Sequence, residues 1–220
     1  MCGRYTLTYD INALAQAFNV APSSSLHITA RYNIAPTQQV LTILHNGAEH
    51  FDLLRWGLIP SWAKEEAIGS KMINARAETL AEKPSFKRLL RARRCLVIAD
   101  GFYEWKQEER GPKTPMYITL KNREPFAFAG LWDAWKGPDG QPIRSCTIIT
   151  TQPNELMIPI HNRMPVILSA AAREQWLDVD SDDEHILLPL LTPYPTDQMT
   201  ARAVSRLVNN PKYDSADLIA

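Results

Sequence analysis

From Val40 to Leu168 the chain contains a succession of short apolar runs, most of them closed by turn-forming residues. Val40–Leu44 ends at His45-Asn46-Gly47, and His50–Leu58 ends at Ile59-Pro60-Ser61-Trp62. Cys95–Ala99 stops at Asp100-Gly101, and Phe102–Lys106 runs into an exposed turn spanning Gln107–Pro112. Met116–Leu120, Phe126–Leu131, Cys146–Thr151 and Val166–Leu168 follow, with Gly137-Pro138-Asp139-Gly140 as a hairpin turn among them. Such runs have the length of strands and are too short for amphipathic helices. Helical spacing is confined to Asp10–Val20, where Ile11, Leu14, Ala15 and Phe18 recur behind an Asp10 cap, to Pro84–Arg91, and to a segment from a Ser169 cap to Leu177. Helices do not alternate strictly with strands, which argues against a parallel β-α-β sheet. The pattern predicts an α+β fold: a mainly-β single compact domain over residues 1–220, built of short antiparallel strands with a few flanking helices. Ala21–Leu26 reads as a Pro/Ser loop and Asp178–Glu184 as a solvated acidic loop. Leu187–Leu191 reads as a short apolar segment, Ala203–Leu207 as a last strand or turn, and the final ten residues as loosely held.

Composition excludes several classes. With 45% hydrophobic and 22% charged residues, the chain resembles a soluble globular protein and not a disordered one. No apolar run reaches membrane-span length, and no basic-then-apolar leader precedes the fold, so a cytoplasmic location without membrane contact is expected. Cys2, Cys95 and Cys146 are too few and too scattered for a disulfide framework or a zinc site. Cys95 and Cys146 lie in apolar runs and read as core thiols. Net charge is zero, but residues 1–113 carry 15 Lys/Arg against 11 Asp/Glu, which permits a basic face on a neutral protein.

The opening Met1-Cys2-Gly3-Arg4 carries unusual chemistry. Once Met1 is removed, Cys2 presents an α-amine and a thiol on adjacent carbons. The amine titrates at about 7.7–8.0, so part of it is nucleophilic at neutral pH without any burial. The thiol, at about 8.5, is the better nucleophile once ionised. A 1,2-aminothiol of this kind condenses with an aldehyde and closes a five-membered thiazolidine ring. Other polar residues stand out at strand ends. Asn74 and Arg76 alternate with Ile73 and Ala75, which points both to one side of an extended segment. Glu104 lies between Tyr103 and Trp105, surroundings that raise a carboxyl's pKa and let it give as well as take a proton. His161 belongs to the side-chain type most used for proton transfer near neutral pH.

Each of these has an ordinary alternative. Cys2 also reads as part of a frayed end, Asn74 as a turn cap, Glu104 as a surface partner of Lys106 or an arginine, and His161 as a satisfied half-buried side chain. Spacing alone does not bring the four together. Arg4, Arg31, Arg55, Arg76, Arg163 and the group Lys87, Arg88, Arg91, Arg93 and Arg94 are candidates for phosphate contact, although that group also reads as a solvated helix face. Trp62, on a loop after Pro60, is either a stacking platform for an unpaired base or a core residue.

An ordered set of blocks runs from residue 1 to about 210: Met1-Cys2-Gly3-Arg4-Tyr5, Arg31-Tyr32-Asn33-Ile34-Ala35-Pro36, Trp56-Gly57-Leu58-Ile59-Pro60-Ser61-Trp62 and Ile73-Asn74-Ala75-Arg76-Ala77-Glu78-Thr79. Arg94-Cys95 through Gly101-Phe102-Tyr103-Glu104-Trp105, Phe128-Ala129-Gly130-Leu131-Trp132, His161-Asn162-Arg163-Met164-Pro165, and Val204-Ser205 with Val208-Asn209-Asn210 complete it. With these blocks the sequence resembles the SOS-response-associated peptidase (SRAP) family, whose members shield abasic sites in single-stranded DNA. The resemblance implies that Cys2, Asn74, Glu104 and His161 converge at one end of a groove for single-stranded DNA. It implies that Arg4, Arg76 and Arg163 neutralise flanking phosphates while Asn33 and Trp62 shape the groove. A covalent bond from Cys2 to an abasic site, strand cleavage by β-elimination and self-removal of Met1 are the implied activities. The implied partner is single-stranded DNA containing abasic sites, with replication-fork proteins as further candidates. No metal or cofactor is implied, and a monomer is expected.

Two rivals remain open from the sequence. Glutamine amidotransferases with an N-terminal nucleophile also begin Met-Cys-Gly, but they continue into an apolar strand where this chain has Arg4. A non-covalent reader of modified DNA needs the groove and not a free Cys2.

Overall fold

The computed structural model describes residues 2–22 and 26–220; Met1, and Ser23–Ser25 of the loop expected at Ala21–Leu26, lie outside the described residues. The strands in chain order are β1 (Tyr5–Leu7), β2 (Arg31–Ile34), β3 (Gln39–Asn46), β4 (Ala48–Trp56), β5 (Asn74–Arg76), β6 (Arg94–Ala99) and β7 (Gly101–Lys106). They continue with β8 (Thr114–Leu120), β9 (Phe126–Lys136), β10 (Pro142–Thr151), β11 (Met164–Pro165), β12 (Ile167–Leu168) and β13 (Met199–Ala203). The helices are α1 (Ile11–Phe18), α2 (Pro84–Ala92), α3 (Ala170–Leu177) and α4 (Glu184–Leu187). Asp10 caps α1 by accepting from the Asn12 and Ala13 amides, Pro84 opens α2, and Ser169 caps α3, as the sequence leads one to expect.

One sheet has the order β13-β8-β7-β1-β2. The second runs β11-β10-β4-β3-β6-β9-β12, and an additional β9–β10 pairing closes its middle strands into a barrel-like ring. β5 attaches to β10. Most pairings are antiparallel, as expected, and β10 adds a parallel minority by lying alongside both β4 and β5. Long excursions separate β10 from both partners, as parallel pairing requires.

Several boundaries shift for local reasons. The run expected over His50–Leu58 ends at Trp56, because Gly57 turns with φ +121 and a Cβ there would lie 2.6 Å from the Gly69 carbonyl oxygen. β9 and β10 extend well past the apolar runs, since their ladder continues from Thr147↔Leu131 to Pro142↔Lys136. Arg31–Ile34 is a strand of its own in the other sheet, paired with β1. The apolar segment at 187–191 is the end of α4 followed by a 3-10 turn. The final ten residues are anchored: Asp214 accepts from Arg31 Nε and from the Tyr32 amide, and Leu218 is buried.

The larger hydrophobic cluster draws residues from both sheets, with Cys95 and Cys146 buried in it, and a smaller one gathers Tyr103, Tyr117, Val208 and Leu218. Beneath the chain's start, the Tyr5 ring lies 5.3 Å from Trp56 and 5.8 Å from Phe128. The corner between β6 and β7 grips β1. Asp100 accepts from Thr6 Oγ1 at 2.5 Å and from the Thr8 amide at 2.6 Å, while Thr6 Oγ1 also lies 2.9 Å from Tyr117 Oη. No helix among the described residues is long and apolar enough to cross a membrane.

Gly101 sits at this corner, where an added Cβ would lie 2.3 Å from Tyr117 Oη and 2.4 Å from its ring. Tyr117 is buried and its hydroxyl is held by Thr6, so it has little room to retreat. Gly101→Ala is expected to cost about 1–3 kcal/mol by overpacking. The measurement is a lower denaturant midpoint at an unchanged slope.

Candidate active site

The pairing of β1 with β7 sets Tyr5 opposite Phe102, and the Tyr103 amide donates to the Arg4 carbonyl at 2.9 Å. One further step of that register puts Glu104 opposite Gly3, next to Cys2. Both side chains are enclosed: Cys2 is 0% and Glu104 2% exposed. The end of β10 brings in the other two residues. β5 pairs with it through Ile148↔Asn74, and the Asn74 amide donates to the Cys2 carbonyl at 2.8 Å. Trp56 Nε1 donates to the Ile73 carbonyl at 2.9 Å and fixes where β5 begins. β11 pairs with the same end through Thr151↔Met164, three residues after His161. His161 Nε2 stands 4.0 Å from Glu104 Oε2, an ion pair when the imidazole is protonated and too long for a direct hydrogen bond. All four residues expected to converge lie together.

The electrostatics follow from enclosure. Burial pushes the Glu104 carboxyl above the usual carboxylate range, and His161 is among the groups that oppose the shift. Burial also pushes up the Cys2 thiol, and the Glu104 carboxylate beside it pushes the same way. The thiol therefore stays protonated at neutral pH until a base removes its proton. Asn74 Oδ1 is buried without a hydrogen-bond partner among the described residues. The surface reading of Glu104 falls, since Glu104 is buried and Lys106 pairs with Glu108.

The cations are less available than their number suggests. Arg4 Nη1 donates to Asn33 Oδ1 at 2.8 Å and to the Val208 carbonyl at 2.7 Å. Asn33 is fully buried, and its amide donates to the carbonyls of Val208, Asn210 and Tyr213. Arg31 is paired with Asp214, Arg55 with Glu66 and Arg88 with Asp133. Arg94 is a buried fold residue, donating to the carbonyls of Leu90, Arg91, Trp176 and Asp178. Arg76 is exposed at the end of β5. Trp62 is 61% exposed and not in the core. It lines a cavity of about 480 Å³ together with Lys64, Ile68 and Lys71. Arg163 forms a two-pronged pair with Glu78. Glu78 was not singled out from sequence, although it lies in the same block as Asn74, on the 3-10 turn that follows β5. Among the described residues no group of three or more His, Cys, Asp or Glu side chains could hold a metal ion.

The family model described as SOS response associated peptidase (SRAP) matches residues 1–211. The abasic site processing protein YoqW of Bacillus subtilis is 51% identical over 223 residues, covering 100% of this chain and 99% of that protein. The abasic site processing protein HMCES of Rattus norvegicus is 34% identical over 197 residues, covering 76% of this chain and 55% of its own longer sequence. Among solved structures, a protein from Bacteroides thetaiotaomicron superposes with a TM-score of 0.89 at 28% identity, covering 99% of this chain and 98% of that one.

The shift at Glu104 has a consequence for stability. A carboxyl whose folded pKa is raised contributes stability that is complete below its unfolded value, about 4.3, and is lost as pH rises through the folded value. Above the unfolded value, burying this side chain therefore weighs against folding. Glu104→Gln keeps the shape and removes the charge. It is expected to melt higher than wild type at pH 8, with the difference closing as pH falls toward about 4. Thermal melts across that range are the measurement, and a wild type that melts higher at pH 8 contradicts the reading.

Proposed function

The chain belongs to the SOS response associated peptidase (SRAP) family, and from that premise we propose that it processes abasic sites in single-stranded DNA by bonding to them through Cys2. The observation that carries the reading is the enclosure of Cys2 by three proton-handling or hydrogen-bonding groups, with Asn74 on its carbonyl and Glu104 and His161 paired beside it. The names of the relatives support the substrate. Removal of Met1 frees the amine, whether by a housekeeping peptidase or by this site.

An abasic deoxyribose is partly a ring-opened aldehyde. The Cys2 amine adds to its carbonyl carbon, and loss of water leaves an imine, the Schiff base. The thiol then adds across the C=N bond: sulfur bonds to carbon, and the thiol proton ends on nitrogen. The order follows from the electrostatics, because the raised thiol is un-ionised when the amine is already partly free. Glu104 takes and returns protons during amine attack, dehydration and ring closure, a role suited to a carboxyl with a raised pKa. His161 assists opening of the sugar ring, and Asn74 orients the terminus and the sugar oxygens. At the imine stage, loss of the proton α to it allows β-elimination of the 3′ phosphate, which is strand cleavage. Closing the thiazolidine removes that route and shields the site. Arg4, Arg76 and Arg163 contact flanking phosphates, while Asn33 holds the groove wall and Trp62 stacks on a base. With few phosphates engaged, log affinity falls with log salt by only about 0.7 per contact.

The test uses single-stranded DNA with one abasic site, read by denaturing gel and intact mass, with Met1 removal verified in the same spectrum. Wild type is expected to give an adduct that survives denaturation. Cys2→Ala keeps the amine, so its adduct should persist only after borohydride reduction. Glu104→Gln should slow adduct formation by about 10²-fold or more. Absence of a wild-type adduct sinks the proposal, and a durable Cys2→Ala adduct removes the thiazolidine step.

A further inference from the structure

Arg163 is one of the cations assigned above to phosphate, yet its guanidinium is already engaged. Nη1 and Nη2 donate to the two Glu78 carboxylate oxygens at 2.7 and 2.9 Å, a fork-to-fork pair. Nη2 also donates to the Thr150 carbonyl at 2.6 Å. The hydrogen bonds from Arg163 hold the Glu78 carboxyl below the usual carboxylate range. The Arg163 side chain is only 14% exposed. This pair joins two short segments. One is β5 with its following turn, which carries Asn74 and Glu78; the other leads into β11 and carries His161 and Arg163. Thr150, on β10, lies between them, paired with Arg76 on one side and Pro165 on the other.

The backbone of Arg163 has a separate task. Its N–H donates to His161 Nδ1 at 3.1 Å. A neutral imidazole has one donor nitrogen and one acceptor, and the partner of one nitrogen decides the state of the other. With Nδ1 accepting, the proton of the neutral ring sits on Nε2, the nitrogen that faces Glu104 at 4.0 Å. The Arg163 carbonyl lies 3.2 Å from the same Nδ1 and would accept from it in the other tautomer. The peptide N–H is the nearer partner and a fixed donor, which favours the tautomer that turns an N–H toward Glu104.

We propose that Glu78 is a positioning residue for His161, acting through Arg163: by locking the guanidinium against β10 it holds the Arg163 peptide on Nδ1 and keeps the neutral imidazole a proton donor at Nε2. This rests on the function proposed above and sharpens it. His161 then gives the sugar ring oxygen an Nε2–H hydrogen bond as the ring opens, while Glu104 carries the proton of the C1 hydroxyl to that oxygen. The base is then Glu104, because a ring with its Nε2 protonated has no lone pair to offer on that side.

The readout is the ¹⁵N spectrum of labelled histidine in the DNA-free protein, so it does not depend on whether an adduct forms. Wild-type His161 is expected to show an acceptor-type Nδ1 and a protonated Nε2; a proton on Nδ1 in neutral wild type overturns the proposal without any substitution. Glu78→Gln and Arg163→Lys each remove the charged fork while leaving the residue 163 peptide in place. Both should move His161 toward the averaged pattern of an untethered histidine. Carboxylates that hold metal-bound histidines in orientation contribute about 10–100-fold, and a loss of about tenfold in adduct formation is expected for Glu78→Gln. An unchanged His161 pattern in both folded variants overturns the proposal. So does a Glu78→Gln protein with the wild-type pattern and tighter DNA binding, which assigns Glu78 as a competitor of phosphate for Arg163.

Discussion

Enclosing a carboxyl and a thiol side by side, within two residues of the chain's start, is the demand that the surrounding structure has to meet. A buried carboxylate is costly unless it is paired or protonated, and a terminus is ordinarily the part of a chain least able to supply order. Here the order comes from β1, only three residues long, paired on one side with β7 and on the other with β2. Asp100 ties it to the β6–β7 corner, and the aromatic floor of Tyr5, Trp56 and Phe128 fixes its tilt. Asn74 and Glu104 therefore stand on strands, where side-chain placement is most accurate, and Cys2 and His161 lie three residues before the strands that hold them.

That arrangement divides the chemistry. The thiol is suppressed by burial and by its acidic neighbour, so an exchange of protons has to precede its reaction. Glu104, raised by the same enclosure, is suited to that exchange, and His161 sits close enough to influence its charge without a direct hydrogen bond. Two groups with separated proton affinities in one enclosure are the usual basis for assigning an acid and a base. The peptide of Arg163 adds a reason for which is which, by deciding the side of the imidazole on which the proton rests.

Under the function proposed above, a protein of zero net charge has to address a polyanion with few unengaged cations. Much of the arginine in the signature blocks is turned inward: Arg94 holds four carbonyls, Arg4 donates to both the Val208 carbonyl and Asn33, and Arg163 is tied to Glu78. Arginine suits these tasks because its planar fork satisfies several acceptors at once without losing charge. What is left for a strand of phosphates is a short track, together with the exposed Trp62 and the lysines beside it.

The order of short apolar runs and the three helices, two of them capped, were readable from residue types, because alternation, helical spacing and capping are local signals; the aromatic flanks of Glu104 suggested enclosure but left a surface pairing open. The reach of β9 and β10 was not, since their outer halves are held by each other's ladder. The anchored C-terminus was hidden for a similar reason: Asp214 finds Arg31 across 183 residues. The family blocks named Asn74 and His161, but the Glu78–Arg163 fork is a long-range pair that no spacing rule detects. By itself, then, the sequence determined the strand-rich class and the chemical vocabulary of the site, an aminothiol, a carboxyl, an imidazole and an amide. Only the tertiary structure decided that these groups share one enclosure and which nitrogen and which sulfur proton are available. Burial and hydrogen-bond partners set those states, and both are supplied by residues far apart along the chain.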